Sequence, residues 1–218
     1  GLLYPCFCSR ADLHAAQAPH ASDGAYVYAG TCRDLSKSER EELFKHKIPA
    51  TRIRVPHKTY AFEDKVYGQT SQNLSKLCGD FIVQRADEVF AYQLAVVVDD
   101  ADMGVTEVVR GSDLLSSTPR QLYLHDVLGF SHPIYAHLPL LVAPDGRRLS
   151  KRNHDLDLGV LRDQGKTPEE ILGFLAYCIG LAEKEEPLSA AQVANRFSWD
   201  VLRAHRKNVV VEHFSHVL

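Results

Sequence analysis

Phe81-Ile82-Val83-Gln84, the apolar run Phe90-Ala91-Tyr92-Gln93-Leu94-Ala95-Val96-Val97-Val98-Asp99-Asp100, and Val105-Thr106-Glu107-Val108-Val109 leading into Arg110-Gly111 decide the fold. The first segment alternates apolar and polar residues, the period of a half-buried strand. Ala86-Asp87-Glu88 is a polar turn. The run from Phe90 to about Asp100 is long enough for a helix, although its valines also suit a strand. Val105 to Val109 predicts a buried strand. Ser117-Thr118-Pro119 opens another helix, a capping hydroxyl followed by proline in the first turn. Tyr135 to Val142 predicts one more strand, running into a turn at Asp145-Gly146. Strand and helix in this succession suit half of an α/β nucleotide-binding sheet.

Working outward, the segment before Pro49 holds Cys6 and Cys8, a short predicted helix from Arg10 to Gln17, and a loop rich in small residues up to Gly30. A helix from Lys37 to His46 follows, opened by Ser36 with Glu39 three residues later as a capping box. Thr51 to Val55 and Thr59 to Phe62 predict strands of one small sheet. Downstream, Thr167-Pro168-Glu169-Glu170 starts a helix whose Ile171, Leu172, Leu175 and Ile179 form an apolar stripe, which reads as core.

The 218 residues are 45% hydrophobic and 24% charged, enough for a real core. The longest apolar run, around Ala95 to Val98, is broken by Asp99 and Asp100 and falls far short of the roughly 20 residues a membrane span needs. No membrane partner is expected. A net charge of -3 argues against a coat of basic residues, so any contact with RNA is confined to a local patch. The chain lacks an initiator Met, and Gly1-Leu2-Leu3-Tyr4-Pro5 reads as the middle of a fold; a preceding segment is expected.

Of the five cysteines, Cys6 and Cys8 are too close for an easy mutual disulfide and well placed to share a metal, which predicts a reducing, cytoplasmic setting. Cys32 adds a third soft ligand. Zinc takes four in a tetrahedron, and Asp34, His14, His20 and Tyr28 are within reach in sequence. Histidine is the usual fourth donor, because a phenol with a pKa of about 10 must first lose its proton.

Two further groups could carry chemistry. Arg148-Leu149-Ser150-Lys151-Arg152, just after Pro144-Asp145-Gly146, forms a basic loop able to close over a triphosphate, with Lys151 neutralising charge on the transferring phosphates. Arg110, at a strand end before Gly111, offers a cation in fork geometry to a carboxylate, and Tyr92 could donate a hydroxyl to the same ligand.

Gly79 to Arg85, Phe90 to Asp100, Gly104 to Leu114, Thr118 to Gln121 and the loop from Arg148 to Arg152, in that order, resemble the glutamyl-tRNA synthetase group of the class I aminoacyl-tRNA synthetases. Within it the chain is most similar to the glutamyl-Q tRNA(Asp) synthetases, which activate L-glutamate with ATP and attach it to the queuosine base of tRNA(Asp). The zinc pattern of that family, Cys-x-Cys then Tyr-x-x-x-Cys, falls on Cys6, Cys8, Tyr28 and Cys32. The chain also ends soon after the lysine loop, which leaves little room for the anticodon-binding domain of full glutamyl-tRNA synthetases.

The resemblance implies an α/β fold: the C-terminal part of a class I synthetase Rossmann-like domain, with a zinc-bearing insertion and a helical C-terminal region. Residues 1–76 would be the zinc-binding, acceptor-contacting insertion, 77–154 the second half of the catalytic domain, and 155–218 the helical region. It implies that Tyr92 and Arg110 bind L-glutamate, that Lys151, Ser150 and Leu149 contact ATP, with Mg2+, and that Lys151 is the main catalytic cation. A monomer with one zinc ion is expected.

Some features depart from the group. Arg148 stands where lysine is common, which keeps the charge but alters donor geometry and argues against a direct role for it. The tail from Leu161 to Leu181 is similar to the helical region of full-length glutamyl-tRNA synthetases, so charging of tRNA(Glu) is the alternative. None of the 11 histidines stands in the His-x-Gly-His-type motif that holds ATP opposite the lysine loop, so a non-catalytic RNA-binding remnant is a further alternative.

Overall fold

In the computed structural model, residues 1–9, 11–12, 27–149 and 158–211 are described. They fall into two units that interleave along the chain: Gly1–Glu63, Gln69–Val108 and Leu114–Ile134 in the first, and Asp64–Gly68, Val109–Asp113 and Tyr135–Leu218 in the second. The predicted helix from Arg10 to Gln17 lies almost wholly outside the described residues, as do His14 and His20.

The first unit is built on an antiparallel sheet of β1 (Leu3–Cys6), β2 (Ala50–Ile53) and β5 (Phe81–Gln84), in the order β1-β2-β5. Phe81 and Val83 are buried while Ile82 and Gln84 are half-exposed, as the alternation predicts. β1 escapes a reading from sequence because Pro5 sits inside it; proline is tolerated there because β1 is an edge strand. In β2 the register shifts between Thr51 and Arg52, and the irregularity turns Arg52 and Ile53, neighbours in sequence, both into the interior.

β3 (Thr59–Asp64) and β4 (Gly68–Asn73) form a hairpin in a different sheet from β2. The expectation of one small sheet holding Thr51–Val55 and Thr59–Phe62 is therefore corrected: Pro56 interrupts the chain between them, and the strands part. The Ser36/Glu39 capping box is formed on α1 (Lys37–Phe44). A one-turn helix, α2 (Leu74–Leu77), follows β4. The valine-rich run is a helix, α3 (Tyr92–Asp102), ending before Gly104 at φ 69°. It packs on α4 (Thr118–Leu128), whose residues from Thr118 to His125 are all buried. Ser117 precedes α4 but its side chain caps nothing; its hydroxyl instead accepts from Gln93 Nε2 at 3.0 Å, and Gln121 Nε2 donates to Gln93 Oε1 at 2.9 Å.

In the second unit β7 (Ile134–Leu138) runs between the end of β3, with Asp64 paired in parallel to Tyr135, and β6 (Glu107–Gly111). Val105 to Val109 is thus not the buried strand expected: the strand starts two residues later, lies at a sheet edge, and leaves Val109 53% exposed. The strand predicted from Tyr135 to Val142 is two strands, since Pro139 has no amide to give a ladder. The second piece, β8 (Leu141–Val142), pairs in parallel with β9 (Val209–Val210). Around it pack α5 (Leu158–Asp163), α6 (Pro168–Cys178), α7 (Ala190–Arg196) and α8 (Trp199–Ala204), over cores centred on Leu161, Phe174 and Val211 and on Ala176, Leu181 and Leu188. Ile171 and Leu175 of the predicted stripe pack against the first core, and Ile179 against the second. Among the described residues no helix is long and apolar enough to cross a membrane.

Candidate functional site

The cysteine cluster is assembled by β1 and the segment around Tyr28–Cys32. Cys6, Cys8 and Cys32 place their sulfurs within 4.8 Å of one another. The Cys8 and Cys32 sulfurs are 3.6 Å apart, and Tyr28 Oη lies 3.6 Å from Cys6 Sγ and 3.7 Å from Cys8 Sγ. A tetrahedral ion with Zn–S bonds of about 2.3 Å separates its sulfurs by about 3.8 Å, and a phenolic oxygen would sit about 3.5 Å from each. The donor set therefore fits a zinc ion. Asp34, the carboxylate weighed as fourth ligand, turns away to pair with Arg54 at 3.3 Å.

The surroundings hold these donors in place. Tyr28 Oη accepts the Cys32 amide at 2.7 Å, and Cys32 Sγ accepts the Phe7 amide at 3.4 Å. Tyr28 bridges to Gly79, whose φ is 64°; a Cβ there would stand 2.8 Å from the Tyr28 carbonyl oxygen, so the position needs glycine twice over. Buried Arg52 donates from Nε to Cys6 Sγ at 3.1 Å and from Nη1 to the Asp80 carbonyl at 2.7 Å, while its guanidinium lies 3.8 Å over the Tyr28 ring. Asp80 in turn accepts from Tyr4 Oη at 2.7 Å and from the Val55 amide at 2.8 Å.

The electrostatics follow from that arrangement. Burial pushes the Cys6 thiol up, but the Arg52 charge and hydrogen bond, helped by Tyr28 and the Cys8 backbone, outweigh it and the net direction is down. Cys8 has no such cation and burial pushes it up to about 12. Burial also raises Tyr28, against the Cys32 amide that favours its phenolate. Three thiolates and a phenolate around a divalent cation would leave two net negative charges, which the Arg52 guanidinium would offset in part.

Arg110, half-buried on β6, belongs to the second unit. Its Nε donates to His137 Nε2 at 2.9 Å, and its guanidinium lies 5.2 Å from the Tyr135 ring centroid. His137 Nδ1 meets Asp64 Oδ2 at 2.6 Å, and both side chains are fully buried. Burial opposes the Asp64 charge, but the His137 hydrogen bond and the backbone amides of Tyr67, Val66 and His137 prevail and hold its pKa below the usual carboxylate range. Tyr92, 53% exposed at the start of α3, belongs to the first unit.

The turn at Pro144-Asp145-Gly146 is formed as read, with Arg148 bridged to Val142 across it. Arg148 pairs its guanidinium with Asp113 at the start of the helical turn Ser112–Ser117. Leu149 is described; Ser150, Lys151 and Arg152 lie outside the described residues. Sequence reading passed over Arg52, Asp64 and His137. Arg52 is hidden by the irregularity in β2. The one available signal for His137 was a histidine set in the apolar strand Ile134–Leu138.

The family profile described as "tRNA synthetases class I (E and Q), catalytic domain" matches residues 1–215. A glutamyl-Q tRNA(Asp) synthetase of Symbiobacterium thermophilum is 47% identical over 213 residues, covering 96% of this chain and 65% of that protein. One of Rhodopirellula baltica is 43% identical over 232 residues (97% and 69%), and one of Geobacter sulfurreducens 50% over 165 residues (75% and 50%). The chain thus spans between half and about two thirds of the length of these curated relatives. In fold it is similar to a glutamate tRNA ligase of Elizabethkingia meningosepticum solved in complex with its amino acid, with a TM-score of 0.71 at 23% identity over 96% of this chain and 47% of that one. A glutamate-tRNA synthetase of Elizabethkingia anophelis gives 0.73 at 24%, over 97% and 48%.

Proposed function

Because this chain belongs to the catalytic-domain family of class I tRNA synthetases (E and Q), we propose that it activates L-glutamate with ATP and passes the glutamyl group to the queuosine base of tRNA(Asp). The observation that carries this reading is the similarity, over nearly the whole chain, to relatives named glutamyl-Q tRNA(Asp) synthetases. In the reaction the glutamate α-carboxylate attacks the α-phosphorus of ATP in line, the bond to the bridging oxygen breaks, and pyrophosphate leaves. A hydroxyl of the RNA then takes the acyl group from the adenylate and AMP departs. No covalent protein nucleophile is needed; positioning and charge stabilisation supply the catalysis.

Arg110 would hold the glutamate side-chain carboxylate and Tyr92 would donate its hydroxyl to the same substrate. Lys151, with Ser150 and Leu149, would grip the triphosphate together with Mg2+. The Asp113 pairing of Arg148 suits it to anchoring the base of that loop rather than to a phosphate. Cys6, Cys8, Tyr28 and Cys32 would hold one zinc ion, which would fasten the Tyr28–Cys32 segment to β1. Residues 1–76 would then serve as the acceptor-contacting insertion, 77–154 as the second half of the catalytic domain and 155–218 as the helical region, in a monomer of the reducing cytoplasm.

A second reading, charging of tRNA(Glu) at its 3' end, is favoured by the helical tail around α5 and α6. The acceptor separates the two. Incubation with labelled glutamate and ATP is expected to label tRNA(Asp) that carries queuosine and to leave unlabelled the same tRNA with guanosine in its place. Label on tRNA(Glu), removed by trimming its 3' end, would reverse the choice.

A further inference from the structure

We propose that His137, backed by Asp64, is the positioning residue that sets the guanidinium of Arg110 for a substrate carboxylate. The proposal rests on the reading of Arg110 as the glutamate-binding cation. It begins with protons. Asp64 ends β3 and its carboxylate is filled by donors: Oδ1 accepts the Val66 and Tyr67 amides at 2.9 Å each, and Oδ2 accepts the His137 amide at 3.1 Å besides facing Nδ1 at 2.6 Å. So many donors keep the carboxylate charged, and Nδ1 must carry a proton to approach it so closely.

At the other side of the ring, Arg110 Nε is always a donor, because a guanidinium does not lose its proton in proteins. At 2.9 Å from that N–H, His137 Nε2 must offer a lone pair. The imidazole is therefore neutral in its Nδ1–H tautomer, and the chain Asp64–His137–Arg110 has one arrangement of protons. It also has one arrangement of atoms: the His137 ring is stacked on Tyr135 at an interplanar angle of 15°, and Tyr135 faces the guanidinium.

A long arginine on an edge strand ordinarily samples many rotamers and loses that freedom when it binds. Here Nε and one face are fixed before any ligand arrives. That fixes where the fork of the guanidinium points and lowers the ordering cost of binding a carboxylate. Burying an Asp–His pair at zero exposure is expensive unless each group is fully matched. Delivering one preset guanidinium accounts for that expense.

The test compares His137→Leu, which removes the acceptor, with His137→Gln, whose carbonyl can stand near the Nε2 position. In glutamate-dependent ATP–pyrophosphate exchange, His137→Leu is expected to raise the glutamate KM by about tenfold or more, with the ATP KM changed less than about twofold, and His137→Gln to recover most of the loss. An unchanged glutamate KM in His137→Leu, or equal damage to both KM values in both variants, would overturn the proposal. If His137→Leu fails to fold, the Gln variant and the wild type decide: 15N-histidine NMR of the wild type is expected to show the Nδ1–H tautomer at neutral pH, and the Nε2–H form or the imidazolium would overturn it. A wild type that shows no glutamate-dependent exchange removes the glutamate reading instead. The Arg110 Nε–H then decides alone: slow exchange with water in the wild type and in the Gln variant, and fast exchange in the Leu variant, supports positioning, and equal exchange in all three refutes it.

Discussion

Arg52 is the residue on which the cysteine cluster turns, since it touches Cys6 through Nε and covers the Tyr28 ring with the same guanidinium. With a metal bound, its charge would help several anionic donors share a buried corner. Removing a donor should remove the metal. We expect zinc close to one per chain in the wild type, loss of most of it in Cys32→Ser, and faster loss to a chelator in Arg52→Leu. Each donor must shed its proton to ligate, so retention should weaken as pH falls. Metal analysis checks this, and unchanged zinc in Cys32→Ser would take that sulfur out of the ligand set. The cysteines were legible because Cys-x-Cys spacing has few other uses, and the phenol because a resemblance named it. Arg52 was not, since an irregularity two residues wide decides which way it faces. His137 was hidden for a different reason: nothing local in a strand says that Asp64, 73 residues away, will meet its ring.

Elements were readable where a local signal closes them. The Ser36/Glu39 box is formed on α1 as the sequence spacing predicts, the helix start read at Thr167 opens α6 with a Thr167/Glu170 box of its own, and Gly129 ends α4 in the left-handed region. Failures came where tertiary pairing overrides local pattern, as with Pro5 inside β1, the polar β4, and the two strands separated by Pro139. α4 is buried around nearly its whole girth although it carries Arg120, Gln121 and His125, so no amphipathic period marks it. Its last turn holds a pH-sensitive group. Burial and then the nearby His132 lower the His125 pKa, against weaker opposing pulls from Asp100 and Asp126. A histidine lowered on folding is protonated more readily in the unfolded chain. Stability is therefore full above the unfolded value of about 6.5 and is lost as pH falls through the lower folded value. Urea midpoints are expected to drop between about pH 7 and pH 5, and His125→Gln should flatten that drop. An identical slope in the variant would clear His125 of the effect.

At the scale of the whole molecule, the α/β class was legible because strand and helix periods alternate from Phe81 onward, whereas the interleaving of two units was not. Asp64–Gly68 and Val109–Asp113 leave one unit for the other in the middle of a hairpin and of a strand, and no change of composition marks either crossing. The lysine loop shows the same division: its stem is held by Arg148 and Asp113, and its lysine is assigned by likeness alone. What ties these parts together is the claim that Arg110 and Lys151 serve one adenylation. Glutamate-dependent exchange of labelled pyrophosphate into ATP measures that claim most directly. The account predicts exchange that requires glutamate, is not driven by glutamine, and falls by about a hundredfold or more in Arg110→Ala; exchange absent with glutamate, or unaltered in Arg110→Ala, would contradict it.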